Sequence, residues 1–280
     1  MKKLLSLIFF LPLLASDYTK KPGYGYDPTS RSVGKAMANI DRKYGDHSGN
    51  RVFCRFYNFG GIGNGGDSFS GVYPIGSGHS YFYEFTPVVA ASVIDTNGIR
   101  RHIVSDGVVA PALIDDSPEG TPWGFEPLPG YANPNQEYMA MSHIEDSWPN
   151  SWPNRADDWD GYWNGAYGKY TRADQESFYV MDDFYNDEFA FFPDSTDAGN
   201  IERRAGLGIQ MEARGYQWNH PAAEDIIIVT YWITNVGSSV LDSVVFGMYG
   251  DADIGGASSF SDDDAWFDTE NDMVYQWDHD

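Results

Sequence analysis

Carboxylates crowd the last part of the chain: Asp251, Asp253, Asp262, Asp263, Asp264, Asp268, Glu270 and Asp272. Calcium is held by roughly six to eight oxygens, many of them from carboxylates on loops. A row this dense repels itself unless water or a cation neutralises it. Asp251, Asp253, Asp262, Asp263 and Asp264 are therefore the candidate metal ligands, and calcium is the cation they fit. The run Asp251-Ala252-Asp253-Ile254-Gly255-Gly256 places carboxylates at the first and third positions and glycine at the sixth of a helix-flanked calcium loop, with Asp262 at its twelfth. Its fifth position is glycine and no helical pattern flanks it, which excludes that loop. A calcium site at a strand end and a solvated acidic loop both fit what remains.

A second set of residues is aromatic. Trp148, Trp152, Trp159 and Trp163 fall in one segment with Tyr162, Tyr167 and Tyr170. Flat rings stack on sugar faces and acidic groups accept hydrogen bonds from sugar hydroxyls, so the four tryptophans are the candidate glycan ligands. The competing reading is that large rings bury area where no regular core exists. Within the same segment, Asp158 and Asp160 of Asp157-Asp158-Trp159-Asp160-Gly161 suit either a metal site or a tight Asp-Gly turn.

Motifs for catalysis are sparse. Paired carboxylates for glycoside cleavage need a separation of roughly 5 to 9 Å, which an abundance of Asp and Glu does not define. His47, His79, His102, His143, His220 and His279 are scattered, and none forms HExxH or a pair at ligand spacing. Gly61-Ile62-Gly63-Asn64-Gly65-Gly66 matches GxGxxG, but no helical pattern follows it, so it reads as a glycine turn rather than a phosphate cradle. There is no GxSxG and no P-loop. Cys54 is the single cysteine, so no intramolecular disulfide forms. Its neighbours Val52, Phe53 and Phe56 make it a small core residue rather than a reactive thiol.

The chain that positions these groups opens on an export signal. Lys2 and Lys3 precede the apolar run Leu4 to Leu14, and Ala15 and Ser16 are small, as a peptidase site requires. The run is shorter than the roughly 20 residues that span a bilayer, and nothing later resembles a membrane segment. Residues 1–16 are thus read as a cleaved leader and the protein as extracellular or cell-surface. The 18 basic and 41 acidic residues give a formal net charge of −23, and loss of Lys2 and Lys3 deepens it. Such a field repels nucleic acid and anionic lipid, which need a basic surface. Apolar residues at 42% and aromatics at 16% are too many for a disordered chain.

Residues 17–50 read as a flexible lead-in with a short helix near Val33 to Asp41. Residues 51–280 read as one β-sandwich-like region. Strand signals fall at Arg51 to Asn58, at Ser80 to Asp95 with Pro87 marking a break or an edge, and at Arg100 to Ser105 after the hairpin signal Asn97-Gly98. Further signals are Ser177 to Met181, Glu188 to Phe192, Leu207 to Trp218, Asp225 to Thr234 and Val240 to Tyr249. The run Ile226 to Ile233 is apolar on both faces at its start, which predicts a central strand covered on both sides, with Val240 to Tyr249 as its hairpin partner. Residues 110–175 are a long irregular insertion rich in Trp, Pro and Asp. With helical patterns nearly absent, the fold class is all-β, an antiparallel β-sandwich. The chain ends mid-pattern at Asp280, which suggests a fragment of a longer protein.

Three groups of segments carry a family resemblance. They are Ala173 to Phe178 with Val180-Met181-Asp182-Asp183; Gly206-Leu207-Gly208-Ile209 leading to Arg214-Gly215-Tyr216-Gln217-Trp218; and Tyr231 to Gly237 followed by Phe246 to Gly256. Together they resemble large exported bacterial proteins of the type IX secretion cargo kind, which carry fibronectin-like or other sandwich modules. The resemblance implies a sandwich fold and export; it implies no activity.

Two functions follow as expectations. One is an exported surface or matrix protein, a non-catalytic module with calcium as a stabilising ion and other surface proteins as partners. The other is a protein that binds or cleaves polysaccharide. An exported protease or esterase would need a serine nucleophile outside any known motif.

Overall fold

The computed structural model describes residues 41–63, 70–109, 115–118, 122–194, 203–255 and 262–279. The leader, residues 17–40 of the lead-in with all but the last residue of the helix expected near Val33 to Asp41, the glycines at 65–66 and Gly256 lie outside them.

The protein is an antiparallel β-sandwich. Its first sheet holds β1 (Tyr44–His47), β2 (Cys54–Tyr57), β3 (Ile62–Gly63), β4 (Glu84–Ile94), β5 (Arg100–Asp106) and β11 (Asp242–Asp251). Its second holds β6 (Glu126–Pro127), β7 (Ala140–Met141), β8 (Gln175–Asp182), β9 (Ile209–Gln217) and β10 (Ile228–Asn235). A separate hairpin pairs β12 (Asp264–Asp268) with β13 (Met273–Trp277).

Strand β4 organises the first sheet. One of its edges pairs with β11, and the other pairs first with β3 and then with β5. Pro87 lies where that edge changes partner, after Phe85 faces Ile62 and before Val88 faces Asp106, so its missing N–H interrupts neither ladder. The Asn97-Gly98 turn joins β4 to β5 as its sequence requires. Gly98 adopts φ +76°, and Asp95 Oδ1 accepts from the N–H groups of Asn97 and Ile99 at 2.8 and 2.9 Å.

The core fills the space between the sheets. Cys54, Phe56, Val89, Ala91 and Ile103 of the first sheet meet Met141, Tyr179, Met181, Met211 and Ala213 of the second, with Met139 and Leu207 from the segments just before β7 and β9. Each of the Val, Ile, Leu, Phe and Met side chains contributes roughly 1.5–3 kcal/mol when fully removed from water. Cys54 is fully buried, and burial pushes its thiol up to about 12, in keeping with a packing role.

Four sequence expectations change. The sheet begins at Tyr44, inside the stretch read as lead-in, because the alternation of Tyr44, Gly45, Asp46 and His47 is too polar to read as a strand. Glu188 to Phe192 forms no strand. Strand β10 is not central: among the described residues it is the last strand of the second sheet and pairs with β9 alone. Its apolar residues Ile228, Trp232 and Ile233 are 41%, 39% and 39% exposed. Finally, β11 does not pair with β10. The connection between them is held on the Pro193 carbonyl by the N–H groups of Ser238 and Ser239, and it carries the chain to the opposite sheet.

The insertion forms a third layer. It follows β5 and runs to β8, contributing the two-residue strands β6 and β7 and two short 3-10 turns at Glu145–Ser147 and Asp157–Trp159. Covered by it outside and by the first sheet inside, β8 is buried along its whole length.

Candidate functional site

The acidic residues sit where β11 meets the β12–β13 hairpin. Asp251 ends β11 opposite Glu84 at the start of β4. The chain leaves through Asp253 and returns at Asp262 and Asp263. The Ile254 N–H donates to Asp263 Oδ2 at 3.0 Å, which ties the two arms together. Asp263 Oδ1 is shielded from solvent and accepts no hydrogen bond among the described residues.

Partial burial raises Asp253 above the usual carboxylate range, and the charges of Asp251 and Asp263 raise it further. Asp263 is raised by partial burial and by Asp278, Asp262 and Asp251, against the Ile254 N–H. Asp251, Asp253, Asp262 and Asp263 thus lie within one another's fields. Asp264 is engaged separately, its carboxylate 2.5 Å from His279 Nε2. Among the described residues, no three His, Cys, Asp or Glu side chains converge closely enough to hold a metal ion. Sequence reasoning missed Asp278 and His279, because only the β12–β13 pairing returns them to this cluster.

The tryptophans have a different fate. Trp152 and Trp163 are 2% and 3% exposed and form a second core with Ala140, Phe178 and Val180, against which Trp148 and Trp159 pack. Trp163 lies 5.5 Å from Trp148 and 6.0 Å from Trp152 between ring centroids. Glu176, buried on β8, accepts from Trp163 Nε1 at 2.7 Å and from the Ala173 N–H at 3.0 Å. Trp152 Nε1 donates to the Tyr162 carbonyl at 2.9 Å, and Arg155 Nε donates to Asn164 Oδ1 at 2.7 Å. These rings pin the insertion to the sheet, so Trp152 and Trp163 present no face to a sugar.

Within the insertion, the aromatic rings most open to solvent are tyrosines. Tyr162, Tyr167 and Tyr170 are 54%, 76% and 51% exposed. Lys169 lies over Tyr162 at 5.1 Å, and the Arg172 guanidinium lies 5.2 Å from both Tyr167 and Tyr170. Half-buried Trp159 stacks under Arg155 at 4.3 Å. The sequence named these tyrosines only as neighbours of the tryptophans; the larger rings drew the assignment, and two of them, Trp152 and Trp163, are buried. Asp158 pairs with Lys169 at 2.8 Å, and the turn through Asp160 and Gly161 is formed, with Gly161 at φ +76°.

Two further polar groupings lie in the interior. His47 Nε2 contacts Ser177 Oγ at 2.8 Å, beneath Phe56 and against Gly215, where a β-carbon would come within 2.7 Å of both the imidazole and the hydroxyl. Both residues are fully buried, and burial pushes the imidazole down to about 3. This Ser–His contact is a packed polar pair and offers no reactive hydroxyl to solvent. Asp183 accepts from the N–H groups of Leu207 and Ile209 at 2.6 and 2.9 Å and pairs with Arg204 at 3.0 Å. Nearby, a cavity of about 10 Å³, room for one water, lies among Lys43, Asn58, Met139 and Tyr179.

No protein-family model, curated protein or solved structure matches the chain. The resemblance to type IX secretion cargo therefore rests on its sequence segments alone. Among the described residues, no helix is long and apolar enough to cross a membrane.

Proposed function

We propose that the chain is a non-catalytic binding module of the cell exterior, an exported surface or matrix protein that takes polysaccharide on the outer surface of its insertion. The observation that carries this reading is the group of exposed rings Tyr162, Tyr167 and Tyr170, set beside Lys169 and Arg172 over a buried tryptophan core. Solvated rings fixed on a packed base stack on sugar faces with little ordering cost. The leader pattern and acidic balance support export, and the segment resemblance supports the type IX route. Other surface proteins are the alternative partner class.

Titration calorimetry against a panel of neutral soluble polysaccharides tests the reading. Each of Tyr167→Ala and Tyr170→Ala loses a stacking ring, about 1 kcal/mol or about fivefold in affinity. Binding that these variants leave unchanged, or no binding by the parent chain, removes polysaccharide from the account.

A second reading has its own observation. The solvent-shielded Asp263 Oδ1, which accepts no hydrogen bond among the described residues and lies near Asp251 and Asp262, supports calcium as a stabilising ion at the end of β11, with backbone carbonyls and water completing its shell. Calcium at a hundred times its dissociation constant adds about 2.7 kcal/mol. Without cation, the folded state holds the Asp253 and Asp263 protons more tightly than the unfolded chain does. Their contribution to stability therefore falls as pH rises from the ordinary carboxylate range through the raised values. Calcium reverses that slope by favouring the ionised forms. Identical melting curves with calcium and with chelator at every pH exclude the ion.

A further inference from the structure

Natural sheets protect their outermost strands with charge, proline or a covering element; β10 carries neither charge nor proline, and among the described residues no strand covers its outer edge. Ile226 to Leu241 is the longest stretch of the sequence without Asp, Glu, Lys, Arg or His. It contains the whole of β10, and among the described residues no strand pairs with the edge facing away from β9. In a chain of net charge −23, most surfaces repel a second copy; this strip does not.

The backbone of β10 is set for such a meeting. The Val236 N–H donates to the Gly208 carbonyl, in register with the Asn235–Ile209 pairing. Alternate residues of an antiparallel strand point their backbone groups to opposite edges. Thr230, Trp232 and Thr234 therefore bond β9, and the N–H and C=O groups of Val229, Tyr231, Ile233 and Asn235 point outward.

We infer that two copies of the chain associate through β10, paired antiparallel about a two-fold axis at Trp232, so that the second sheets of the two copies become one continuous sheet. This register engages all four outward-pointing residues, Val229 with Asn235 and Tyr231 with Ile233 of the second copy. It sets Trp232 opposite itself and Thr230 opposite Thr234, pairs of the aromatic and hydroxyl kinds that stabilise sheets, and no charged side chain meets its like. The contact is isologous and closes on two chains. It stands independently of the glycan and calcium readings, since it uses none of their residues.

Sedimentation velocity of the full chain over a concentration series tests it. The parent chain is expected to dimerise, more tightly as added salt screens its net charge. Trp232→Glu sets two like charges across the axis. Ile233→Pro removes an N–H that β9 does not use. Each is expected to weaken association at least tenfold with far-UV circular dichroism retained. Hydrogen exchange on the parent chain gives a readout that needs no variant: the amides of Val229, Tyr231, Ile233 and Asn235 gain protection as concentration rises. A chain that stays monomeric at the highest concentration, a dimer unaffected by the folded Trp232→Glu variant, or amide protection independent of concentration overturns the inference.

Discussion

Acid should loosen this protein through His47, and the size of the effect follows from where that ring sits. The imidazole is fully buried between Phe56, Ser177 and Gly215. Burial holds its pKa at about 3, against about 6.5 in an unfolded chain. The unfolded state therefore takes up a proton that the folded state refuses. The stability of the neutral ring is complete above pH 6.5 and is lost as pH falls towards 3. The slope is about 1.4 kcal/mol per pH unit, so about 2 kcal/mol is gone at pH 5. His143, exposed nearby but also lowered by partial desolvation, adds a smaller loss of the same sign, whereas the raised Asp253 and Asp263 act in the opposite direction. Urea unfolding of the parent chain and of His47→Gln at pH 7.5 and pH 5 separates the contributions. Glutamine keeps a polar contact to Ser177 without a titrating group. The variant costs stability at pH 7.5 but is expected to lose about 2 kcal/mol less than the parent between the two pH values. Equal losses in the two proteins would refute the reasoning, because the acid sensitivity would then originate elsewhere.

Three other outcomes follow. Asp183→Ala takes one of two carboxylates from the buried Arg204 and strips acceptors from the Leu207 and Ile209 N–H groups; the expected cost is about 3–5 kcal/mol, a drop of about 2–4 °C in Tm for each kcal/mol in a domain of this size. Trp152→Ala removes the centre of the second core and is expected to cost about 3–5 kcal/mol by thermal melting, with sugar binding lost only through unfolding. Cys54 should resist thiol reagents in the native state and react at the rate of global unfolding, since its thiol is buried and held up to about 12; rapid labelling of folded protein would contradict this.

Local signals in the sequence proved legible and long-range ones did not. The β4–β5 hairpin was readable because Asn97-Gly98 dictates its own turn, and β9 because Ile209 and Met211 alternate with polar neighbours. Cys54 was readable as core from its flanking aromatics. The apolar density of Ile226 to Ile233 was misread because burial on both faces and an unprotected edge leave the same composition. The pairing of β11 with β4 has no local signal at all, since Asp242 to Asp251 finds its partner across most of the chain. Among site residues, the acidic cluster was legible as a set, but the separation of Asp264 from the others depends on His279 across a hairpin. The tryptophans were recognised as special; that they form the base and the tyrosines the surface depends on Glu176 and Phe178 beneath them, which no spacing in the insertion reveals.

The ladder between β4 and β11 also sets the order in which the molecule can assemble. Glu84 pairs with Asp251, and every residue of β6 to β10 lies between them. A chain delivered from its N-terminus can zip β4 to β5 and β8 to β9 early, yet β4 must wait with one side open until the last quarter arrives. Closing so long a loop costs little more in entropy than closing a shorter one, so the burden is one of time. The half-built sandwich, with a bare β4 edge beside a finished hairpin, is the species most exposed to misassembly.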